Sequence, residues 1–362
     1  MSTPRTTLWK IEPHTKAKHE ILGRYLGAWF GILGQKIPRI VYIDGFCGPG
    51  KNEGGENGSP IIALQKAKPL AENYPNTEFV FIFIDERSDR IDNLKELINQ
   101  ENYPTNMLIF PLAGEFESQI SQLLSHIESK GTSLAPTFAF IDPFGFSGVP
   151  FDLVEKLLKN PKTEILINIM ADSINRFAEH PDPNIQNHIV SLFGTPKILD
   201  VLKNSTNRFQ ALRCLYQEQL ESVARFVRFF EMRDENSRII YYLFFASNHP
   251  LGHQKIKEAF WKVDQQNGCR FSDSTNPDQL VLFENNPSVE VEKLLQQYYK
   301  GQTVTTDQIF RFINDNTSFI EAHAKQALKQ LEQSQKIEVK SQKTNGSTRK
   351  KGTFPLGTII TF

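Results

Sequence analysis

Cysteine is scarce in this chain. Its 362 residues hold only Cys47, Cys214 and Cys269, too few and too scattered for a disulfide framework or a four-cysteine zinc site. A reducing cytoplasm is the expected compartment. Net charge is absent, with 41 Lys and Arg against 41 Asp and Glu. That excludes a chain coated in positive charge for nucleic acid, so any such site must be a local patch. Long apolar runs are also absent. The runs at 79–84 and 239–246 have the length of strands, well short of the ~18 residues a membrane helix needs. No membrane partner is expected. Residues 1–16 lack the apolar centre of a signal peptide.

What is present is enough to build a core. Hydrophobic residues make up 39% of the chain and aromatics 11%, which rules out wholesale disorder. The length predicts about two domains. After a lead-in, Leu22, Leu26, Trp29, Phe30 and Leu33 recur at helical spacing. Apolar strands are then predicted at 40–43, 79–84, 107–111, 138–141 and 164–170, with helical stretches between them. Continuously apolar strands alternating with helices mean a parallel sheet covered on both faces. Right-handed crossovers make it doubly wound. Residues 173–236 break the rhythm and read as a largely helical insert rich in arginine. It is either a solvated insert or a lid over substrate. The alternation resumes with strands at 239–246 and 280–283 around a helix at 252–264. Two helices at 306–314 and 321–333, then short strands at 336–341 and 358–362, form the winged-helix pattern. The expected domains are 1–288, containing the insert, and 289–362.

The first strand runs into Asp44-Gly45-Phe46-Cys47-Gly48-Pro49-Gly50. Strand ends near a reversal of strand order are where such sheets bind ligands. Glycine there lets backbone approach the ligand. Gly45-x4-Gly50-Lys51 has P-loop spacing, but Asn52 stands where Ser or Thr should hold magnesium. Gly48-x-Gly50 starts a dinucleotide fingerprint, but Glu53 takes the third glycine position. S-adenosylmethionine, a cation without phosphates, tolerates the acid beside the loop and is favoured. Asp44 can reach its amino-acid part. Asp85, with Glu86 beside it, can accept the ribose hydroxyls. Glu115 can accept from the adenine amine, and Phe116 can supply a backbone donor or a ring edge. With Asp142, four acids then end successive strands.

Asp142-Pro143-Phe144-Gly145 follows the fourth strand and suits methylation of an amine on a planar ring. The Asp142 carboxylate accepts one N–H and the Pro143 carbonyl the other. Phe144 stacks on the ring and Gly145 clears room. The bland alternative is a strand-ending turn, which Pro and Gly favour anyway. Other candidates are weaker. His249 and His253 have zinc-ligand spacing without a third ligand, so no metal is expected. Cys47 reads as a small packed thiol, and Lys16, Lys18 and His19 as surface charge.

Residues 336–351 hold six basic residues, among them Lys340, Lys343, Arg349, Lys350 and Lys351, against the single acid Glu338. A wing so charged can bind nucleic-acid phosphates, with Lys325 and Lys329 reaching from the helix before it. A protein-docking winged helix is the alternative.

Three stretches carry a resemblance. They are Pro13-His14-Thr15-Lys16-Ala17-Lys18-His19-Glu20-Ile21-Leu22, Tyr42-Ile43-Asp44-Gly45-Phe46 running on to Gly58-Ser59-Pro60, and Phe140-Ile141-Asp142-Pro143-Phe144-Gly145 running on to Pro150. With His249-Pro250-x-Gly252 and Trp261-Lys262-Val263-Asp264, they resemble the three-Cys-motif partner protein (TcmP) family over residues 9–265. The C-terminal part resembles the GMT-like winged-helix domain of methyltransferase-like proteins in this group. The resemblance implies a bacterial or phage protein with a Rossmann-like class I methyltransferase fold. It also implies a partner, a three-Cys-motif protein that looks like a radical S-adenosylmethionine enzyme. Asp142-Pro143-Phe144-Gly145 is similar to motifs of guanine-N2 and adenine-N6 methyltransferases. The expected function is therefore S-adenosylmethionine-dependent methylation of an exocyclic amine on a DNA or RNA base. The alternatives are a non-catalytic DNA-binding or docking partner and a P-loop nucleotidase.

Overall fold

The computed structural model describes residues 6–274 and 286–362. The strand expected at 280–283 lies outside the described residues. The chain divides into two compact units, Met1–Ala259 with Arg270–Asn276, and Phe260–Cys269 with Pro277–Phe362.

In the first unit helix and strand alternate: α1 (Pro13–Gly34), β1 (Arg39–Asp44), α2 (Ser59–Asn73), β2 (Glu78–Asp85), α3 (Ser88–Asn99), β3 (Met107–Ala113), α4 (Phe116–Ser129), β4 (Thr137–Ile141), α5 (Phe151–Leu158) and β5 (Thr163–Ile169). Four helices follow, α6 (Ala171–Phe177), α7 (Pro183–Phe193), α8 (Lys197–Asn204) and α9 (Arg208–Glu221). Then come β6 (Phe226–Arg233), β7 (Ile239–Ser247), α10 (Pro250–Val263), whose residues from Phe260 on are assigned to the second unit, and β8 (Arg270–Ser272). The described strands form one sheet in the order β3-β2-β1-β4-β5-β7-β6-β8. Only β7 runs against its neighbours β5 and β6. This is the expected mainly parallel, doubly wound sheet.

One expectation fails. Residues Phe226–Arg233, read as the end of the helical insert, form β6. Arg228, Glu231 and Arg233 interrupt the apolar alternation, so the strand is masked in sequence. Its buried residues are Phe226, Val227, Phe230 and Met232. The insert's arginines pair with nearby acids, Arg176 with Asp172 and Arg208 with Glu179, and neither lines the cleft described below.

The two faces of the sheet differ in chemistry because strand residues alternate sides. Tyr42, Phe79, Phe81 and Phe138 stack among Tyr25, Trp29 and Phe30 of α1. Each such pair adds about 0.5–1.5 kcal/mol beyond its buried area. The intervening Val41, Ile43, Ala139 and Ile141 join an aliphatic core with α5 and the insert helices. Pro13 opens α1 at its first turn, where a missing N–H costs nothing.

In the second unit, α11 (Pro287–Tyr298), α12 (Thr306–Asn316) and α13 (Glu321–Gln333) share a core with a small antiparallel sheet. Its strands are β9 (Thr303–Thr305), β10 (Glu338–Val339) and β11 (Ile359–Thr361). Thr305 and Gln308 make a reciprocal capping box that fixes the start of α12. The two expected helices and the hairpin are present. Helix α11 and strand β9 are additional.

Candidate active site

Strand order reverses around β1. The chain moves from β1 outward to β3, then returns to place β4 on the other side of β1. The carboxyl ends of β1 and β4 therefore lie side by side, with Asp44 opposite Phe140. This is the crevice where open α/β sheets bind ligands.

The loop after β1 is shaped by its glycines. Gly48 and Gly50 have φ of 63° and 87°, which favour glycine. The Gly58 N–H donates to the Gly50 carbonyl at 2.7 Å, folding the loop back on itself. The Gly45 N–H donates to the Phe140 carbonyl at 2.9 Å, tying the loop to β4. A Cβ at Gly45 would lie 2.5 Å from the Phe116 ring, so that ring sits hard against the turn.

A cavity of about 100 Å³ opens here. Of the expected residues, Phe46, Gly48, Gly50, Asp142, Pro143 and Phe144 line it together. Lys18, His19, Asn168 and Tyr241 line it too, and sequence reasoning did not place them there. Lys18 is a correction. Expected as surface charge, its side chain is 6% exposed and its ammonium pairs with Asp142 Oδ2 at 2.5 Å. The amide of Asn168 donates to Asp142 Oδ1 at 2.7 Å. Lys18 also lies over the Tyr241 ring, 5.0 Å from its centroid. A signal was available: Lys18 is four residues from Leu22 and eight from Leu26, on the buried stripe of α1. A lysine there needs a buried partner. Only Lys16 of that cluster is a surface group, paired with Glu56.

The electrostatics follow from burial. Burial pushes the His19 pKa down to about 4, with the Lys18 ammonium adding to the shift and Asp142 opposing it. His19 is thus neutral at pH 7. Asp44 is fully buried, and burial pushes its pKa up to about 7. The Ser59 and Tyr42 hydroxyls oppose that rise, while the Asp142 charge adds to it. Asp44 Oδ2 accepts from the Tyr42 hydroxyl at 3.2 Å, whereas Oδ1 has no well-aligned partner. A cationic ligand in the cleft should therefore bind more tightly as pH rises through about 7, where Asp44 gains its charge. Asp44→Asn should flatten that dependence. Calorimetry of ligand binding across this range checks both.

The remaining expected cofactor residues stand apart from the cavity lining. Asp85 is buried and already bonded. Its Oδ2 accepts from the Gly48 N–H at 3.1 Å and lies 3.5 Å from Arg90, and its Oδ1 accepts from the Arg87 N–H at 3.0 Å. The Arg90 guanidinium lies 4.8 Å from the Trp9 ring centroid and 5.4 Å from that of Phe144. Trp9 and Phe144 meet edge to face at 5.5 Å. Neither Trp9 nor Arg90 carried a motif to betray it. Glu86 and Glu115 are exposed, and Phe116 is core, packed on Phe46. A Cβ at Gly145 would meet nothing within 4 Å. Cys47 is a buried free thiol.

His253 accepts from Arg228 Nε at 2.8 Å and stacks on Phe226. Among the described residues no group of three or more His, Cys, Asp or Glu could hold a metal ion. Among them, too, no helix is long and apolar enough to cross a membrane.

In the second unit, Lys329, Lys340, Lys350 and Lys351 are exposed and Lys343 is half-buried. Lys325 pairs with Glu321 at 3.2 Å and lies over Phe310. Arg349 corrects the sequence reading. Its side chain is 4% exposed and ion-paired to Glu332, which also accepts from the Gly352 N–H at 3.0 Å. It anchors the wing to α13 and does not face solvent phosphates.

Residues 270–344 match the family model of the GMT-like wHTH domain. The second unit carries a GMT-like winged helix. A comparison with curated proteins finds no match. Among solved structures, human methyltransferase-like protein 13 in complex with SAH is 11% identical, covering 74% of this chain and 97% of its own, with a TM-score of 0.36. Protein LPL1258 from Legionella pneumophila is 12% identical, covering 70% and 91%, with a TM-score of 0.43. The O-methyltransferase of a trans-AT PKS multienzyme from Brevibacillus brevis, in complex with S-adenosyl-L-homocysteine, is 14% identical, covering 70% and 78%, with a TM-score of 0.25.

Proposed function

We propose that the chain is a three-Cys-motif partner protein whose first unit is an S-adenosylmethionine-dependent methyltransferase acting on an exocyclic amine of a nucleic-acid base. The observation that carries the reading is the shared cleft at the β1/β4 crevice. There the glycine-rich loop and Asp142-Pro143-Phe144 line one cavity beside the buried Asp44. Asp44 Oδ1, a buried acceptor behind the cavity lining with no well-aligned partner, suits the ammonium of a cationic cofactor, and the positive φ of Gly48 and Gly50 shapes the loop beside it. The Asp85 end fits less well, since Gly48, Arg87 and Arg90 already engage that carboxylate.

S-adenosylmethionine, when bound, supplies an activated methyl group. The chain's own residues then position the amine and exclude water. Asp142 and the Pro143 carbonyl accept its two N–H groups and aim the nitrogen lone pair into the cleft. Lys18 and Asn168 hold the Asp142 carboxylate in place. Phe144 offers a face to the base. The cofactor would give its methyl group to the amine, and the Asp142 carboxylate is placed to take the proton that the methylated nitrogen gives up. In a duplex the base must first flip out, at a cost of a few kcal/mol. The test is transfer of labelled methyl from S-adenosylmethionine to mixed DNA and RNA, followed by digestion to nucleosides. N-methylated nucleoside is expected; unlabelled nucleic acid overturns the substrate class.

The winged helix would bring the nucleic acid. Exchanging Lys340, Lys350 and Lys351 for alanine should weaken binding of all sequences alike. It should also flatten the dependence of log affinity on log salt, by about one unit for each phosphate that is no longer neutralised. Fluorescence anisotropy at several salt concentrations measures this, and an unchanged slope removes the wing from the interface.

A second reading has its own support. Both Asp142 oxygens and the Asp85 carboxylate are already bonded within the chain. A non-catalytic protein that docks a three-Cys-motif, radical-SAM-like partner would need no freer site. Co-purification with that partner, without methyl transfer, would favour it.

A further inference from the structure

A second and larger cavity, of about 220 Å³, lies in the first unit at the other end of the strands. The first cleft gathers the carboxyl ends of β1 and β4. This one gathers residues from the start of β4 and β5, from just after β7, and from the second half of α1. Its walls are apolar, with Trp29, Ile32, Leu33, Pro136 and Leu251 among them. For comparison, an apolar cavity of about 150 Å³ suffices to hold benzene.

The polar groups are arranged asymmetrically. In the wall, Glu164 is buried, and each of its oxygens already has a donor. The Tyr25 hydroxyl donates at 2.6 Å to Oε2, and the Ser247 hydroxyl at 2.6 Å to Oε1. Burial also raises its pKa, which weakens its charge further. A Cβ at position 252 would lie 1.8 Å from Glu164 Oε1, so the glycine of His249-Pro250-x-Gly252 is what lets this carboxyl pack against α10. At the mouth stand Lys162 and His249, both exposed, and Lys255, which also pairs with Glu258. The interior therefore takes an apolar body and offers no free carboxylate to a cation, while at the rim the Lys162 ammonium offers positive charge and Lys255 is shared with Glu258.

We infer that this cavity binds a small aryl carboxylate, its ring against Trp29 and its carboxylate at the Lys162–Lys255 rim. The site is independent of methyl transfer at the first cleft. His249 and Gly252 of the His249-Pro250-x-Gly252 motif line it, and the proposed reaction uses neither.

The test uses the full-length protein and three probes of one shape: naphthoate, naphthalenemethanol and naphthylmethylamine. Calorimetry should find one naphthoate per chain, bound about tenfold or more tightly than the neutral alcohol because of its charge-assisted contacts. Naphthoate should quench tryptophan fluorescence, and Trp29→Phe should remove that quenching. Lys162→Glu, at an exposed position, should weaken naphthoate about tenfold and leave the alcohol unchanged. Leu251→Trp should fill the cavity and abolish binding of both. Three results would each overturn the inference: no saturable naphthoate binding, tightest binding of the amine, or naphthoate binding that survives Leu251→Trp.

Discussion

Asp142→Ala is expected to reduce methyl transfer by about 10²–10⁴-fold at saturating S-adenosylmethionine. The loss has two parts. The substrate amine loses the acceptor that orients it and the group that takes its proton. The Lys18 ammonium, with a side chain only 6% exposed, also loses its ion-pair partner. An uncompensated buried charge costs about 3–5 kcal/mol, so the single variant should be less stable as well as inactive. The double variant Lys18→Met/Asp142→Ala separates the two parts. It should recover most of the stability, seen as the denaturation midpoint, and remain inactive. Recovery of turnover in the double variant would mean that Asp142 serves only to neutralise Lys18.

Glu332→Ala should have the largest effect on the winged unit. It leaves the buried Arg349 guanidinium without its carboxylate and the Gly352 N–H without its acceptor. Breaking such a pair from one side costs about 3–5 kcal/mol, a large share of the stability of a small unit. Replacing both partners, as Glu332→Leu/Arg349→Met, should cost much less, because neither charge is then stranded. Hydrogen exchange of the α13 and wing amides in the full chain is the check. Unchanged protection in Glu332→Ala would show that the wing is held by other contacts. The pair also has a pH signature. Burial alone would raise the Glu332 pKa, but Arg349 and the Gly352 N–H overcome this and lower it. Its contribution is therefore complete above the ordinary glutamate range and is lost as pH falls through the lowered value.

The sheet was readable because its strands are continuously apolar and its helices amphipathic, so the period of the pattern identifies each element. Strand β6 was not readable, because Arg228, Glu231 and Arg233 sit in its alternation and its pairing with β7 is visible only in three dimensions. The loop after β1 and the Asp142-Pro143-Phe144 turn were found by position, each at the carboxyl end of a strand. Their neighbours were not. Lys18 and Asn168 reach Asp142 from 124 and 26 residues away, a closure that local spacing cannot encode. The same blindness concealed the partners of two expected ligand residues. Asp85 is held by Arg90 and the loop backbone, and Arg349 is held by Glu332. Sequence shows which charges exist. Only the fold shows which are already neutralised.

The most direct test is calorimetric titration of S-adenosylmethionine into the purified protein near pH 8, where the Asp44 carboxylate is charged. Saturable binding at one site per chain is expected, weakened in Asp44→Asn and retained in Lys18→Met/Asp142→Ala, which strands no charge in the cleft. Absence of binding at that pH, or equal affinity in Asp44→Asn, would contradict the assignment of the β1/β4 cleft as a cofactor site.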